Sequence, residues 1–289
     1  MPPLPNHASG PLRLAALQAD AASGDVQRNL ATLTGALEDA AAAGAELLVA
    51  PELFLTGYRL DGDALALAEP SDGPSCEALA TAVSRTGVSL VYGFAERAGG
   101  DLYNAANLLT PDAGRVATYR KTHLFGPAEA AAFTAGSSLD VVLWRGLGLG
   151  MLICYDVEFP EAVRTLASRG ADLVVVPTAN MEPFFDVPVT LVRARAAESG
   201  VAVVYANHVG AEPPHTFTGQ SAIVDPLGRD AARAGDGPEL LVTAVDLTAC
   251  RDDPTHTTQL ADRRFDLYDT KPVTELKADR TTETSPIAP

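Results

Sequence analysis

Four short segments put polar, reactive residues directly after apolar runs. They are Pro51-Glu52-Leu53, Tyr119-Arg120-Lys121-Thr122-His123, Ile153-Cys154-Tyr155-Asp156 and Pro177-Thr178-Ala179-Asn180. If the apolar runs are neighbouring strands, their ends converge on one place. Cys154 stands between a buried run and a helix opening near Pro160, where the positive end of a helix dipole would lower the pKa of a thiol. Glu52 follows Leu47-Leu48-Val49-Ala50-Pro51, and burial there would raise a carboxyl group toward the range useful to a general base. Lys121 is one of three lysines in the chain, with Lys271 and Lys277, and it sits just past a strand. Each residue also has an ordinary reading: an inert buried cysteine, a turn or helix cap, a solvated lysine. Together they form a working set. A carboxylate removes the thiol proton, sulfur attacks a carbonyl, and an ammonium with a backbone N–H holds the oxyanion.

The elements that must position these residues are legible from periodicity. Leu12, Leu14 and Leu17 mark a first strand, and Val26, Leu30, Leu33 and Leu37 recur at helical spacing up to a stop at Gly44. Glu46 to Ala50 is a short buried strand that ends at Pro51. A helix is predicted from Cys76 to Arg85 and a strand from Val88 to Phe94. Leu102 to Leu109 and Arg115 to Arg120 flank Pro111-Asp112-Ala113-Gly114, the signature of a hairpin. Val141 to Trp144 and Leu147 to Ile153 form a further strand pair. The second half then repeats the first layout. A helix opens at Pro160 and closes at Gly170, a strand runs from Asp172 to Val176, a helix spans Val187 to Ser199, and a strand spans Val201 to Ala206. Ser221 to Val224 and Leu240 to Val245 complete the strands. Alternation in both halves indicates an α/β layered fold. We read one domain over residues 11–270, a flexible extension over 1–10, and an extended or mobile polar tail over 271–289.

Composition narrows the function classes. Hydrophobic residues make up 47% of the 289, enough for a sizeable core. A formal charge of −16 argues against nucleic acid as a partner. No apolar run approaches the roughly 18 residues a membrane helix needs. Met1 to Gly10 lacks a basic-then-apolar pattern, so no signal peptide is expected. Three widely spaced cysteines, Cys76, Cys154 and Cys250, give neither a disulfide framework nor a CxxC motif. A reducing, cytoplasmic setting follows as the expectation.

The motifs also carry a resemblance. Pro51-Glu52-Leu53-Phe54-Leu55-Thr56-Gly57-Tyr58, Tyr119-Arg120-Lys121-Thr122-His123-Leu124-Phe125 and Ile153-Cys154-Tyr155-Asp156-Val157-Glu158-Phe159-Pro160-Glu161 resemble the three ordered motifs of the nitrilase (carbon–nitrogen hydrolase) superfamily. The resemblance runs from about Leu12 to Tyr268. It implies an α-β-β-α sandwich that pairs into a larger sandwich across a dimer, and a Glu52–Lys121–Cys154 triad. It implies that Glu129 helps position substrate, that Tyr155 offers its backbone N–H to the oxyanion, and that Tyr58 lines the pocket. It implies no metal and no organic cofactor. The partner is a small-molecule amide, with a homodimer or higher homo-oligomer as the assembly.

Members of this superfamily cleave nitriles, amides or carbamoyl groups. Nitrilases carry Trp-Glu-Asn after the cysteine, whereas Tyr155-Asp156-Val157 is like the amidases. Pro177-Thr178-Ala179-Asn180-Met181 resembles the aliphatic and stereoselective amidase branch, which makes Asn180 a candidate substrate contact. Relatives that hydrolyse amides of dicarboxylic acids often hold an arginine where this chain has Glu158. A glutamate would repel such an anion. Glu182 and Asp186 are expected to add negative charge near the pocket, and neutral or amine-bearing small aliphatic amides are the expected substrates. The ordinary alternative is that Glu158 caps the helix at Pro160 or pairs with Arg164. N-carbamoyl amine hydrolysis and ω-amide hydrolysis remain alternatives within the family. Outside it stand a papain-like Cys154 paired with His123 or His208, and a nitrilase-like binding module without activity.

Overall fold

The computed structural model of the chain describes residues 10–248, 258–260, 262–264 and 266–268. The extension before Gly10, the tail beyond residue 270 and Cys250 lie outside the described residues.

The first unit is strand–helix–strand. β1 (Leu12–Gln18) leads into α1 (Val26–Ala42) and then β2 (Leu47–Val49). Asp25 caps α1 by accepting from the Arg28 N–H at 3.0 Å. Leu33, Leu37 and Ala40 are buried at helical spacing. Gly44, at φ 73°, turns the chain back so that β2 lies parallel to β1, with Leu14 opposite Leu47. A short helix α2 (Gly62–Ala66) and a longer α3 (Pro74–Thr86) follow. Three antiparallel-linked strands come next: β3 (Ser89–Ala98), β4 (Asp101–Thr110) and β5 (Gly114–Arg120). The strand expected to stop at Phe94 continues to Ala98. It turns at Gly99-Gly100, where both glycines have positive φ. The sequence pattern does not show that hairpin because Glu96 and Arg97 interrupt the apolar run. Glu96 is nonetheless buried, because Arg120 from β5 pairs with it at 2.6 and 2.9 Å.

The second half begins with α4 (Gly126–Ala132), β6 (Val141–Trp144) and β7 (Leu147–Met151). A single 3-10 turn over Cys154–Glu158 separates β7 from α5 (Pro160–Ser168). β8 (Leu173–Thr178) follows. The helix expected from Val187 to Ser199 is present in two geometries, a π-turn over Val187–Leu191 and then α6 (Val192–Ser199). β9 (Ala202–Asn207), the small hairpin β10 (Val209–Glu212) and β11 (His215–Thr218), β12 (Ala222–Val224), β13 (Asp230–Arg233) and β14 (Glu239–Val245) complete the chain order. The short strands β10, β11 and β13 are too polar and brief to show in the sequence pattern.

Two six-stranded sheets result, ordered β14-β1-β2-β3-β4-β5 and β13-β12-β9-β8-β7-β6. Alternation along the strands explains the layers. Leu14, Ala16, Leu47 and Val49 face inward and share one apolar cluster with Leu149, Val175 and Val204 of the second sheet. Ala15, Leu17, Leu48 and Leu90 face outward against Leu33, Leu37, Leu79 and Val83 of α1 and α3. On the second sheet, α5 closes over β7 at Gly150, where an added Cβ would stand 2.8 Å from a Leu166 methyl. The architecture is therefore helix–sheet–sheet–helix, the expected α-β-β-α sandwich.

Strand direction decides what converges. β1, β2 and β3 are parallel, and β5 regains their direction through two antiparallel turns. β7, β8 and β9 are likewise parallel. Glu52, Lys121, Cys154, Asn180 and His208 thus all lie just past carboxyl ends of strands, the usual place for chemistry in open α/β sheets.

Candidate active site

Glu52 leaves β2 on a tight loop. The following residue, Leu53, has φ 48°, and the loop rests directly on β3. A Cβ on Gly93 would lie 2.6 Å from the Glu52 Cα and 2.5 Å from the Leu53 nitrogen, so only glycine lets the two backbones approach this closely. Glu52 is fully buried. Its Oε1 accepts from Lys121 Nζ at 2.7 Å and from Asn104 Nδ2 at 2.7 Å. Its Oε2 is buried without a hydrogen-bond partner among the described residues.

Lys121 is the opposite of a surface lysine. It is fully buried, and its Nζ donates to Glu52 at 2.7 Å and to Glu129 Oε1 at 2.8 Å. Glu129 sits in the first turn of α4, where its Oε2 accepts from the Phe125 N–H at 2.8 Å. Its Oε1 also accepts from the Tyr58 hydroxyl at 2.6 Å. The backbone of Lys121 is clamped as well, its N–H on the Asn104 carbonyl and its carbonyl on the Gly136 N–H, both at 2.8 Å.

Cys154 occupies the strand-to-turn elbow with φ 44°, a left-handed conformation that L-residues adopt at a cost and that recurs at active sites. The Tyr155 N–H is the next donor along the 3-10 turn, and no main-chain acceptor takes it among the described residues. Asp156, also buried, locks this elbow to the lysine loop. Its carboxylate accepts from the Ile153 N–H at 3.0 Å, the Tyr119 hydroxyl at 2.7 Å, the Thr122 hydroxyl at 2.8 Å, the His123 N–H at 2.8 Å and His123 Nδ1 at 2.7 Å.

The electrostatics correct one expectation. The helix dipole was expected to lower the thiol pKa, yet Cys154 is pushed well above the ordinary cysteine value. Burial is the main cause, the Glu52 carboxylate adds to it, and Lys121 and the Ala179 N–H oppose it. The reason is geometric: the residue opens a 3-10 turn, and α5 begins only at Pro160. The resting group is a thiol, which makes a nearby base necessary. Glu52 is itself raised, chiefly by burial, with Lys121 opposing and Glu129 adding. Burial pulls Lys121 down, but the two carboxylates outweigh it and hold the ammonium protonated.

Beside the thiol lies a narrow cleft with a cavity volume of about 10 Å³. Tyr58, Tyr155, Glu158 and Asn180 all line it, as do Phe125 and Phe184. The ordinary reading of Glu158 fails on both counts. Arg164 pairs with Glu198 at 3.0 Å, and the residue capping α5 is Phe159, with no side-chain cap bond. Asn180 lines the cleft, but its amide N–H groups are committed to the Phe184 carbonyl at 3.0 Å and the Thr218 hydroxyl at 2.9 Å. It shapes the wall. Glu182 and Asp186 do not line the cleft. They are exposed, because the loop from Glu182 to Asp186 runs over the surface between β8 and the π-turn.

Neither histidine of the papain-like alternative bonds to Cys154. His123 bonds Asp156 and stacks on Phe159 at 3.9 Å. His208 is buried, its pKa lowered by that burial, and its Nε2 donates to the Glu52 main-chain carbonyl at 2.6 Å. Sequence reasoning missed the supporting roles of Asn104, Asp156, His208 and Gly93. Of these, Asn104 left the clearest trace, a polar residue inside an apolar strand.

Comparison with known proteins agrees with this geometry. The family model for carbon-nitrogen hydrolases matches residues 13–255. A protein of Pseudomonas protegens described as a hydrolase in the pqqF 5′ region is 41% identical, over 89% of this chain and 91% of its own length. An (R)-stereoselective amidase of a Pseudomonas species is 38% identical, over 88% of this chain and 92% of its own. Among solved structures, a cysteine-to-alanine variant of the amidase from Nesterenkonia sp. AN1, in complex with butyramide, superposes with a TM-score of 0.80. It is 35% identical and covers 89% of this chain and 96% of its own. Fold, convergent strand ends and relatives lead to one assignment: the chain belongs to the carbon-nitrogen hydrolase family.

Proposed function

We propose that this chain is an amidase that hydrolyses small neutral or amine-bearing aliphatic carboxamides to the acid and ammonia through a cysteine thioester. One observation carries the reading. A buried ammonium lies between two carboxylates beside the half-buried thiol of Cys154, and both ends of the arrangement keep free capacity. Lys121 has three N–H donors, of which Glu52 and Glu129 take two. The third is available to an oxyanion. Glu52 Oε2 is available to a proton.

The steps follow. Glu52 takes the Cys154 proton as sulfur attacks the amide carbonyl carbon, and the carbonyl π electrons move to oxygen. The oxyanion rests on Lys121 Nζ and the Tyr155 N–H. The C–N bond then breaks, Glu52 returns the proton to nitrogen, and ammonia leaves a thioester. Water enters with Glu52 as base, its oxygen attacks the thioester carbonyl, and the C–S bond breaks. The acid departs and sulfur regains a proton from Glu52. Glu129 positions Lys121, and Asp156 positions both loops. We read residues 11–270 as the catalytic unit, acting in the cytoplasm as a homodimer or higher homo-oligomer. No helix among the described residues is long and apolar enough to cross a membrane.

The test is ammonia release by wild type and Cys154→Ala from propionamide, butyramide, an ω-amide, an N-carbamoyl amine and a nitrile. Release from the neutral amides by wild type alone, with a thioester mass in single turnover, is the expected result. Release from the carbamoyl compound or the ω-amide alone would overturn the substrate assignment. Silence from every compound would favour a binding module.

A further inference from the structure

The small hairpin β10–β11 belongs to neither six-stranded sheet. It joins the loop after β2 to the segment after β8, the two stretches that carry Glu52 and the cleft wall. His208, just before β10, donates from Nε2 to the Glu52 main-chain carbonyl at 2.6 Å. Glu212, the last residue of β10, takes the other end of the same loop. Its Oε2 accepts from the Tyr58 N–H and its Oε1 from the Arg59 N–H, both at 2.9 Å. β11 holds the wall: the Thr218 N–H donates to the Asn180 carbonyl at 3.0 Å, and the Glu182 N–H donates to the Thr216 carbonyl at 2.9 Å.

Glu212 is buried, and its carboxylate pairs with no cation within 4.0 Å among the described residues. The Arg59 guanidinium turns to Asp61 instead, and burial lowers the pKa of the neighbouring His208. The two backbone N–H groups are therefore what offsets the burial of this carboxylate. Two fixed donors need two acceptor atoms, which a carboxylate has and a side-chain amide lacks. Gly57 gives it room: at φ 80°, a Cβ there would stand 3.0 Å from Glu212 Oε1. What this contact fixes is Tyr58. The Tyr58 ring stands edge-on to His215 at 5.7 Å and to Phe217 at 6.1 Å, both on β11. Its hydroxyl donates to Glu129 Oε1 at 2.6 Å, the same oxygen that accepts from Lys121 Nζ at 2.8 Å. One chain of contacts thus leads from Glu212 through Tyr58 and Glu129 to the buried ammonium.

We propose that Glu212 is a positioning residue for catalysis and that β10–β11 braces the active site through it. By holding the Tyr58 backbone, Glu212 sets where Glu129 stands, and so where Lys121 Nζ meets the oxyanion. It touches no reacting atom. Because the ammonium acts on the transition state, a misplaced Glu212 lowers kcat and leaves substrate binding largely as it was. This rests on the amidase reading above and deepens it.

The test is a double-mutant cycle. kcat and KM for butyramide are measured for wild type, Glu212→Gln, Tyr58→Phe and the double variant, each shown to be folded by circular dichroism. Glu212→Gln keeps the size of the side chain but turns an NH2 toward one of the two fixed N–H groups. It should lower kcat by about tenfold or more while KM stays within about threefold. Tyr58→Phe cuts the next link and should cost a similar factor. Because both act along one chain of contacts, the double variant should fall within about threefold of the worse single variant rather than at the product of the two. Glu212→Asp keeps two acceptors on a shorter stem and carries the test if the glutamine variant does not fold. Its kcat loss should be smaller and should likewise vanish in the Tyr58→Phe background. A folded Glu212 variant with kcat within about twofold of wild type, or losses that multiply in the double variant, overturns the inference and leaves the amidase intact. Failure of wild type on butyramide and every other amide overturns the amidase reading and this inference with it.

Discussion

Replacing Asp156 with asparagine should weaken the fold and the chemistry together. Its two oxygens divide their donors. Oδ1 takes the Thr122 hydroxyl, the His123 N–H and His123 Nδ1, and Oδ2 takes the Tyr119 hydroxyl and the Ile153 N–H. A hydroxyl can rotate away from an incoming amide NH2, but a backbone N–H cannot. Whichever way the new side-chain amide is turned, its NH2 meets a fixed N–H, that of His123 or that of Ile153. One buried donor is left unsatisfied, at about 1–3 kcal/mol, and the remaining bonds lose charge assistance. The sum is about 2–4 kcal/mol, discounted for some local relaxation. The activity argument is separate. This carboxylate ties Thr122 and His123, next to Lys121, to Ile153, next to Cys154. A shift of about 1 Å between ammonium and sulfur is enough to cost on the order of 100-fold in rate. Urea unfolding followed by circular dichroism reads the first effect, with an unchanged m-value as the check on two-state behaviour. Steady-state turnover of butyramide reads the second. A stability loss under about 1 kcal/mol together with a kcat within about threefold of wild type would refute the reasoning.

Two further outcomes follow from the same geometry. Glu52→Gln should lower kcat by roughly 10²–10⁴-fold, because an amide cannot take the thiol proton. In wild type the base must be ionised and burial raises its pKa, so kcat/KM should fall as pH drops through a value above the ordinary glutamate range of about 4.3. An acid limb at or below that value would contradict the assignment. Gly93→Ala should push back the Glu52 loop, since the new Cβ would meet three backbone atoms of Pro51, Glu52 and Leu53 at 2.5–2.6 Å. A cost of about 1–3 kcal/mol and at least roughly a tenfold drop in kcat are expected, measured by urea unfolding and turnover. Unchanged turnover would show that the loop's position is immaterial.

Much of the protein is determined by local rules that act on the chain itself. Period-3.6 and period-2 patterns, with glycine stops at Gly44, Gly170 and Gly200, place α1, α3, α5, α6 and the parallel strands of both sheets. The apolar runs ending at Pro51-Glu52, Arg120-Lys121 and Ile153-Cys154 marked the reactive residues, because a buried strand that stops abruptly at a polar residue is a positional statement. The order of those motifs carried the family. Tertiary structure decided what depends on residues far apart in the chain. That Lys121 is buried between Glu52 and Glu129 follows only once β5 regains the direction of β2. That Cys154 is held as a thiol follows from desolvation at the elbow and the Glu52 charge, which overrode the local dipole argument. The fate of Glu158 was a choice between Arg164 and an open cleft, and Glu198, far along the chain on α6, decided it by taking the arginine. Asn180 reaches the cleft wall, and Thr218 and Phe184, distant or absent from its local pattern, engage its donors. Periodicity reports which side of an element faces the core. Hydrogen-bond partners, burial of charge and the shape of a cleft arise between elements, and only the packed chain determines them.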